Sequence, residues 1–232
     1  MMAIKPILFN TEMVLAILDG RKSCTRRLLK GPFTVHPNGY ITKPRGNENL
    51  CPYEPPYQPG DILYVRETWQ YLYELDGNEQ IIEDTGKYYY AATDTITFNT
   101  YVDENGLKHE HVPWRPSIHM PKEAARIWLK VTDVRVERLQ EITPDAIKNE
   151  GIILNPKEYV GKFDYTSELY FLFQRLWNST IKKSDLDRYG WGANPWVWVI
   201  EFKRCKKPEE KSPFAWNDAI NKMFETEQEG EQ

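Results

Sequence analysis

The most informative stretch of the chain is Gly20-Arg21-Lys22-Ser23-Cys24-Thr25-Arg26-Arg27. Four of these eight residues are basic, and three carry a hydroxyl or a thiol. Lys22 and Thr25 stand three residues apart, a spacing that sets side chains next to each other in a turn or a helix. A lysine beside a hydroxyl acts as its general base when burial lowers the pKa of the amine. Hydroxyl–lysine pairs are one route to nucleophilic catalysis. The same run also reads as a solvated basic helix end, and at this level both readings stand.

Other residue types and positions bear on a site. The strand expected over Ile62–Trp69 alternates so that Leu63, Val65, Glu67 and Trp69 share a face. A carboxylate on a core-facing side needs a partner, here Arg66 or Arg27, or it sits at a pocket mouth. Trp69 is either core or a platform on which a base stacks, and Trp191 in Gly190-Trp191-Gly192 is either a turn residue or a lid. Glu150 falls at a helix C-terminus, where the helix dipole disfavours negative charge. His109 and His111 share a strand face, as a metal pair or as part of a solvated hairpin. Cys24, Cys51 and Cys205 are odd in number and lack zinc or redox spacing. Neither a metal nor a cofactor is expected.

These side chains need elements to hold them. Residues 5–9 predict a strand, and Asn10 caps a helix carrying Met13, Val14, Ile17 and Leu18, stopped by Gly20. The basic run then leaves a helix C-terminus, where positive charge is favoured. Residues 31–59 hold seven prolines and three glycines and predict a long irregular loop. Residues 72–113 read as an elaboration, with strands at Tyr88–Ala91 and Thr95–Val102 and a turn at Asp103-Glu104-Asn105-Gly106. Ile127–Val136 predicts a long strand whose apolar phase changes near Thr132, the mark of a bulge. Thr143-Pro144 opens a short helix ending at Glu150-Gly151, residues 166–178 predict another, and Trp196–Lys203 predicts the last core strand. Residues 208–232 are a charged tail in which Ser212-Pro213 starts a short amphipathic helix. The pattern implies an α+β domain around a small, mostly antiparallel β-barrel with flanking helices and a β-hairpin elaboration.

Composition narrows the partners. The chain has 232 residues, 41% hydrophobic and 13% aromatic, with a formal net charge of −4. A protein that wraps duplex nucleic acid carries a basic excess, so any nucleic-acid contact here is local, or the ligand is a free nucleoside. No stretch approaches the ~18 apolar residues of a membrane span. Reduced thiols and the lack of an apolar leader lead to the expectation of a cytoplasmic protein with no obligate protein partner.

Gly20-x-Lys22-x-x-x-x-Arg27 resembles the signature of the ASCH superfamily, relatives of the PUA RNA-binding fold. That signature has Glu where this chain has Thr25. A Thr there is similar to the bacterial N4-acetylcytidine amidohydrolases, with their Gly-Arg-Lys-Thr-x-Thr-x-Arg run. Gly60-Asp61-Ile62-Leu63, Lys130–Leu139, Ile142-Thr143 through Glu150, and Val199-Ile200-Glu201-Phe202 resemble further family segments in order. Val65-Arg66-Glu67-Thr68-Trp69 and Pro116-Ser117-Ile118-His119-Met120-Pro121 resemble a larger phage- or prophage-associated group. The resemblance implies a PUA-like domain over residues 5–207, with insertions at about 31–59 and 72–113. It implies Thr25 as nucleophile, Lys22 as its base and Glu150 as acid/base partner in hydrolysis of an N-acyl group on cytidine. It further implies ligand contacts from Arg27, Arg26, Glu67, Trp69 and Ser117. The alternative is a non-catalytic module for single-stranded RNA or modified DNA. A nuclease is the third possibility, but the sequence lacks a metal-binding carboxylate cluster to support one.

Overall fold

The computed structural model describes residues 2–45, 49–74, 76, 78, 80, 82–96, 101–102, 108–109, 113–154 and 164–209. In chain order the elements are β1 (Ile4–Leu8), α1 (Thr11–Leu18), β2 (Cys24–Leu28), β3 (Thr34–Val35), β4 (Ile41–Arg45), β5 (Asn49–Pro52), β6 (Ile62–Arg66) and β7 (Trp69–Leu72). There follow β8 (Lys87–Tyr90), β9 (Tyr101–Val102), β10 (Lys108–His109), β11 (Trp128–Arg138), α2 (Pro144–Asn149), α3 (Tyr165–Ser179), α4 (Leu186–Tyr189) and β12 (Trp196–Cys205).

The main sheet runs β1-β6-β11-β12-β2. Its β1–β6 pair is parallel and the rest are antiparallel. Alternation along β12 explains why both faces are covered. Trp198, Ile200 and Phe202 point into a core with Ile7, Phe9, Val14, Ile17, Leu63 and Leu129. Val197 and Val199 point the other way, onto Ile147 of α2 and Leu169, Phe173 and Trp177 of α3. The expected phase change in the long strand is a bulge between Val131 and Asp133.

The mixed α and β content and dominant antiparallel pairing agree with the sequence. Barrel closure differs: among the described residues β1 and β2 end an open ladder. Side chains bridge the two edges instead. Arg27 donates to Leu8 O across the seam at 3.0 Å. The segment 31–59 straps it: Tyr57 Oη donates to Pro6 O at 2.8 Å, and Tyr53 Oη to Lys30 O at 2.8 Å. This segment is not the irregular loop its prolines suggest. It contains an antiparallel sheet β3-β4-β5, with Pro52 on the edge strand β5 and Pro44 in the part of β4 that pairs with β5 alone, so both sit where a sheet edge tolerates proline.

The strand expected through Trp69 stops at Arg66. After Glu67-Thr68 the chain enters a second ladder, β7–β8. The break undoes the expected alternation. Leu63 and Val65 stay in the main core, whereas Trp69 joins Ile62, Tyr64, Met120 and Trp128 on the other side. Lys122–Ala124 forms a 3-10 helix, and Ser117–His119 forms another. Of the hairpin elaboration, β9 and β10 pair antiparallel. The Asp103–Gly106 turn, His111 and the 212–224 helix lie outside the described residues. Among the described residues no helix is long and apolar enough to cross a membrane.

Candidate functional site

The site is built where α1 ends, β2 begins and α2 ends. Asn10 caps α1 by accepting from Met13 N at 2.9 Å. Gly20, at φ +76°, reverses the chain without the steric cost a Cβ would bring. Lys22 and Glu150 then meet as a β-bridge, and Ser23 N donates to Asn149 O at 2.9 Å. Thr143 caps α2 as expected, accepting from Ala146 N. Glu150 ends α2, and Gly151 turns the chain away at φ +93°. A Cβ on Gly151 would lie 2.7 Å from Ala16 Cβ and 3.2 Å from Lys22 Cβ.

Glu150 is the hub of a buried charge cluster. Its Oε2 accepts from Lys22 Nζ at 2.7 Å, and its Oε1 accepts from Arg26 at 3.0 Å. Lys22 Nζ also donates to Glu150 O at 3.0 Å and lies 5.5 Å from the Phe9 ring centre. The Lys22 side chain is 0% exposed. Two cations on one carboxylate answer the dipole objection to Glu150 at a helix end. Arg26 reaches on to Glu137 at 3.3 Å, while its Nε is buried with no partner. Cys24 sits beside the cluster, its Sγ 3.8 Å from Ala146 O and 3.9 Å from Arg26. Burial first, then the Glu150 charge, push its thiol up to about 12, against the smaller pull of Arg26 and Lys22. It is therefore a neutral thiol near pH 7.

Thr25 and Arg27 make a second arrangement. β2 is extended, so Thr25 and Arg27, two residues apart, share a face. Thr25 Oγ accepts from Arg27 Nη1 at 3.0 Å. The three-residue spacing of Lys22 and Thr25, which pairs side chains in a helix, does not pair them on an extended chain. Lys22 Nζ is turned onto Glu150, and Thr25 Oγ onto Arg27. Arg27 donates further to Arg26 O and Leu8 O and lies over Phe9 at 5.5 Å. Burial lowers the pKa of its guanidinium, against opposing pulls from Glu150 and Tyr57.

A cleft of about 300 Å³ opens along β2, the terminal strand of the sheet, against α3. Its lining includes the polar residues Thr25, Arg26, Arg27 and Glu150 and the apolar residues Met13, Leu28, Phe173 and Leu176. Lys30 and Thr180 also line it. The structure thus brings Thr25, Arg26, Arg27 and Glu150 to one cavity, with Lys22 bound to Glu150.

The remaining candidates lie elsewhere. Glu67, 1% exposed, is held by a two-pronged pair with Arg126 at 2.9 and 2.8 Å, rather than by Arg66 or Arg27. Arg126 stacks on Tyr90 at 3.9 Å. Trp69 packs near Tyr88 with its ring centre 5.8 Å away, and its Nε1 is buried without a partner. Ser117 is half-buried in its 3-10 turn. Trp191 packs edge-on against Phe173 at 5.8 Å, as a wall of the second core. Among the described residues, no group of three or more His, Cys, Asp or Glu could hold a metal ion.

Sequence reasoning did not single out Glu137 and Arg126, the partners of Arg26 and Glu67. Glu137 lies on β11 and reaches Arg26 of β2 across the intervening strand β12, a pairing that alternation along one strand does not show. Arg126 sits just before β11, and its pairing is purely tertiary.

No family model and no curated protein match the chain in sequence. Among solved structures it is similar to an ASCH domain from Lactobacillus crispatus JV V101, at 10% identity and a TM-score of 0.34. That alignment covers 87% of this chain and 79% of the other.

Proposed function

We propose that the chain is an ASCH-type domain that binds a nucleoside or a nucleic-acid base in the cleft between β2 and α3. The observation that carries this reading is the mixed lining. Met13, Leu28, Phe173 and Leu176 give the cleft apolar surface, and Thr25, Arg27 and Glu150 give it polar groups. A flat heterocycle has an apolar face and a polar edge, and such a mixed lining suits it. The volume, about 300 Å³, falls at the lower end of the ~300–1,000 Å³ typical of small-molecule sites. Binding is tested by calorimetric titration with cytidine, N4-acetylcytidine and a short single-stranded RNA at low salt. Saturable binding that Leu176→Arg abolishes is expected. No binding of any of the three overturns the reading.

Hydrolysis of an N-acyl group on cytidine is the second reading. It is favoured by the presence of Thr25 and Glu150 in one cavity. Thr25 Oγ would attack the acyl carbonyl, the cytosine amine would leave with a proton, and water would release the acyl group from Thr25. Two facts place it second. Thr25 is 1% exposed, and Lys22 already donates to two oxygens of Glu150. Chromatography of N4-acetylcytidine incubated with the protein and with Thr25→Ala decides it. Turnover lost in Thr25→Ala supports this chemistry, and no turnover by the unsubstituted protein removes it for that substrate.

A further inference from the structure

The charges lining the cleft do not cancel. Glu150 is committed to Lys22 and Arg26, and Glu137 to Arg26 and Arg135. Arg27 and Lys30 are left over in the lining. Arg27 is part-buried, and every hydrogen bond it donates goes to a neutral oxygen: Thr25 Oγ, Arg26 O and Leu8 O. No carboxylate among the described residues lies within ion-pair distance of it. Lys30 is exposed and makes no ion pair among the described residues. Beside them, Arg26 Nε is a buried donor with no acceptor.

A guanidinium withdrawn from water without a counter-charge is costly. Here burial destabilises its charged form, and Glu150 acts on it only from a distance. An anion entering the cleft relieves that cost, because charge-assisted hydrogen bonds to a guanidinium are the strong kind. The whole chain is acidic, at −4, so this local excess of cations is a feature of the cleft and not of the general surface.

We infer that Arg27 and Lys30 form an anion site for the phosphate of a nucleotide, so that the cleft takes phosphorylated nucleotides or a strand in preference to neutral nucleosides. This rests on the base-binding reading and names the ligand class for it. The base lies against Phe173 and Leu176, the phosphate meets the Arg27 guanidinium, and Lys30 supplies a second positive charge from elsewhere in the lining. Lys30, being exposed, can follow a phosphate that remains partly in water.

The test is calorimetric titration of the full chain with cytidine, cytidine 5′-monophosphate, a short single-stranded RNA and inorganic phosphate, each at low and at moderate salt. The same titrations are run on Arg27→Gln and Lys30→Gln. The monophosphate is expected to bind at least about tenfold more tightly than cytidine, the scale of one charged hydrogen bond. Either substitution is expected to erase most of that gain, and added phosphate to compete. Lys30 is exposed, so Lys30→Gln reports even where Arg27→Gln does not fold. Equal affinity for cytidine and its monophosphate overturns the anion site and leaves the base-binding reading standing. Tight binding of inorganic phosphate and the monophosphate alike, with none of cytidine, upholds the anion site and overturns the base reading. Stronger competition by succinate than by phosphate overturns phosphate as the anion. Tighter binding of the RNA than of the monophosphate, lost in Lys30→Gln, identifies a strand as the source of the phosphate. No binding of any probe overturns both.

Discussion

Lys22 Nζ lies 2.7 Å from the carboxylate of Glu150, a residue 128 positions away, and both side chains are almost fully buried. The pair joins the start of β2 to the end of α2 and holds one side of the cleft in place. Desolvating two charges offsets most of their attraction, whereas deleting one partner leaves the other charge buried and uncompensated. Glu150→Gln is therefore expected to destabilise the protein by about 3–5 kcal/mol, the usual cost of breaking a buried pair. The urea midpoint measures this. The double substitution Lys22→Met with Glu150→Gln is expected to recover much of the loss, and additive losses would show that the two do not interact.

Glu67 presents a similar pair in a different place. Its carboxylate takes both prongs of Arg126, and it is absent from the cleft lining. Glu67→Gln is expected to lower stability by several kcal/mol, within the buried-pair range above. It should leave ligand affinity within about threefold, on the scale of a surface change. A tenfold or greater loss of affinity in a variant that is folded by circular dichroism would place Glu67 in the binding site after all.

Cys24 makes a pH-dependent contribution. Its thiol has an ordinary value of 9.0 and is pushed up to about 12 in the fold. The folded state therefore holds its proton at pH values where the unfolded chain loses it. This contribution is complete below pH 9 and is lost as pH rises from about 9 towards 12. Between pH 8 and pH 10.5 the urea midpoint of the wild type is expected to fall more than that of Cys24→Ala. At pH 8 iodoacetamide should label Cys51, which is half-buried, ahead of Cys24. Equal labelling rates in the folded protein would contradict the burial of Cys24.

Gly151 tests the turn that brings Glu150 to Lys22. At φ +93° an L-side chain is strained, and its Cβ would fall 2.7 Å from Ala16 Cβ. Gly151→Ala is expected to cost more than about 1 kcal/mol, since strain and overlap add. Ligand affinity should fall along with stability, because the displaced turn carries Glu150. An unchanged midpoint would mean that the turn relaxes freely.

Much of the scaffold was legible in the sequence because it rests on local physics. Asn10 and Thr143 are caps whose side chains bond within a few residues, Gly20 is a turn that favours a positive φ, and the Thr132 phase change marks a bulge. The helix over 166–178 appears as α3 from its apolar spacing. The crowding of basic and hydroxyl residues in Gly20–Arg27 was legible too.

Which side chains meet was decided only in three dimensions. Extended geometry in β2 and the bridge to Glu150 turn Lys22 away from pairing with Thr25. A break at Glu67-Thr68, which alternation cannot foresee, carries Trp69 to the other side of the sheet and leaves Glu67 with Arg126. The prolines of 31–59 suggested an irregular loop, yet pairing among β3, β4 and β5 and the burial of Tyr53 and Tyr57 against the core make that segment a strap over the open seam. Periodicity along a chain records which face a residue prefers. The partner on that face is supplied by distant segments, and long-range pairing of buried charges has no local signature.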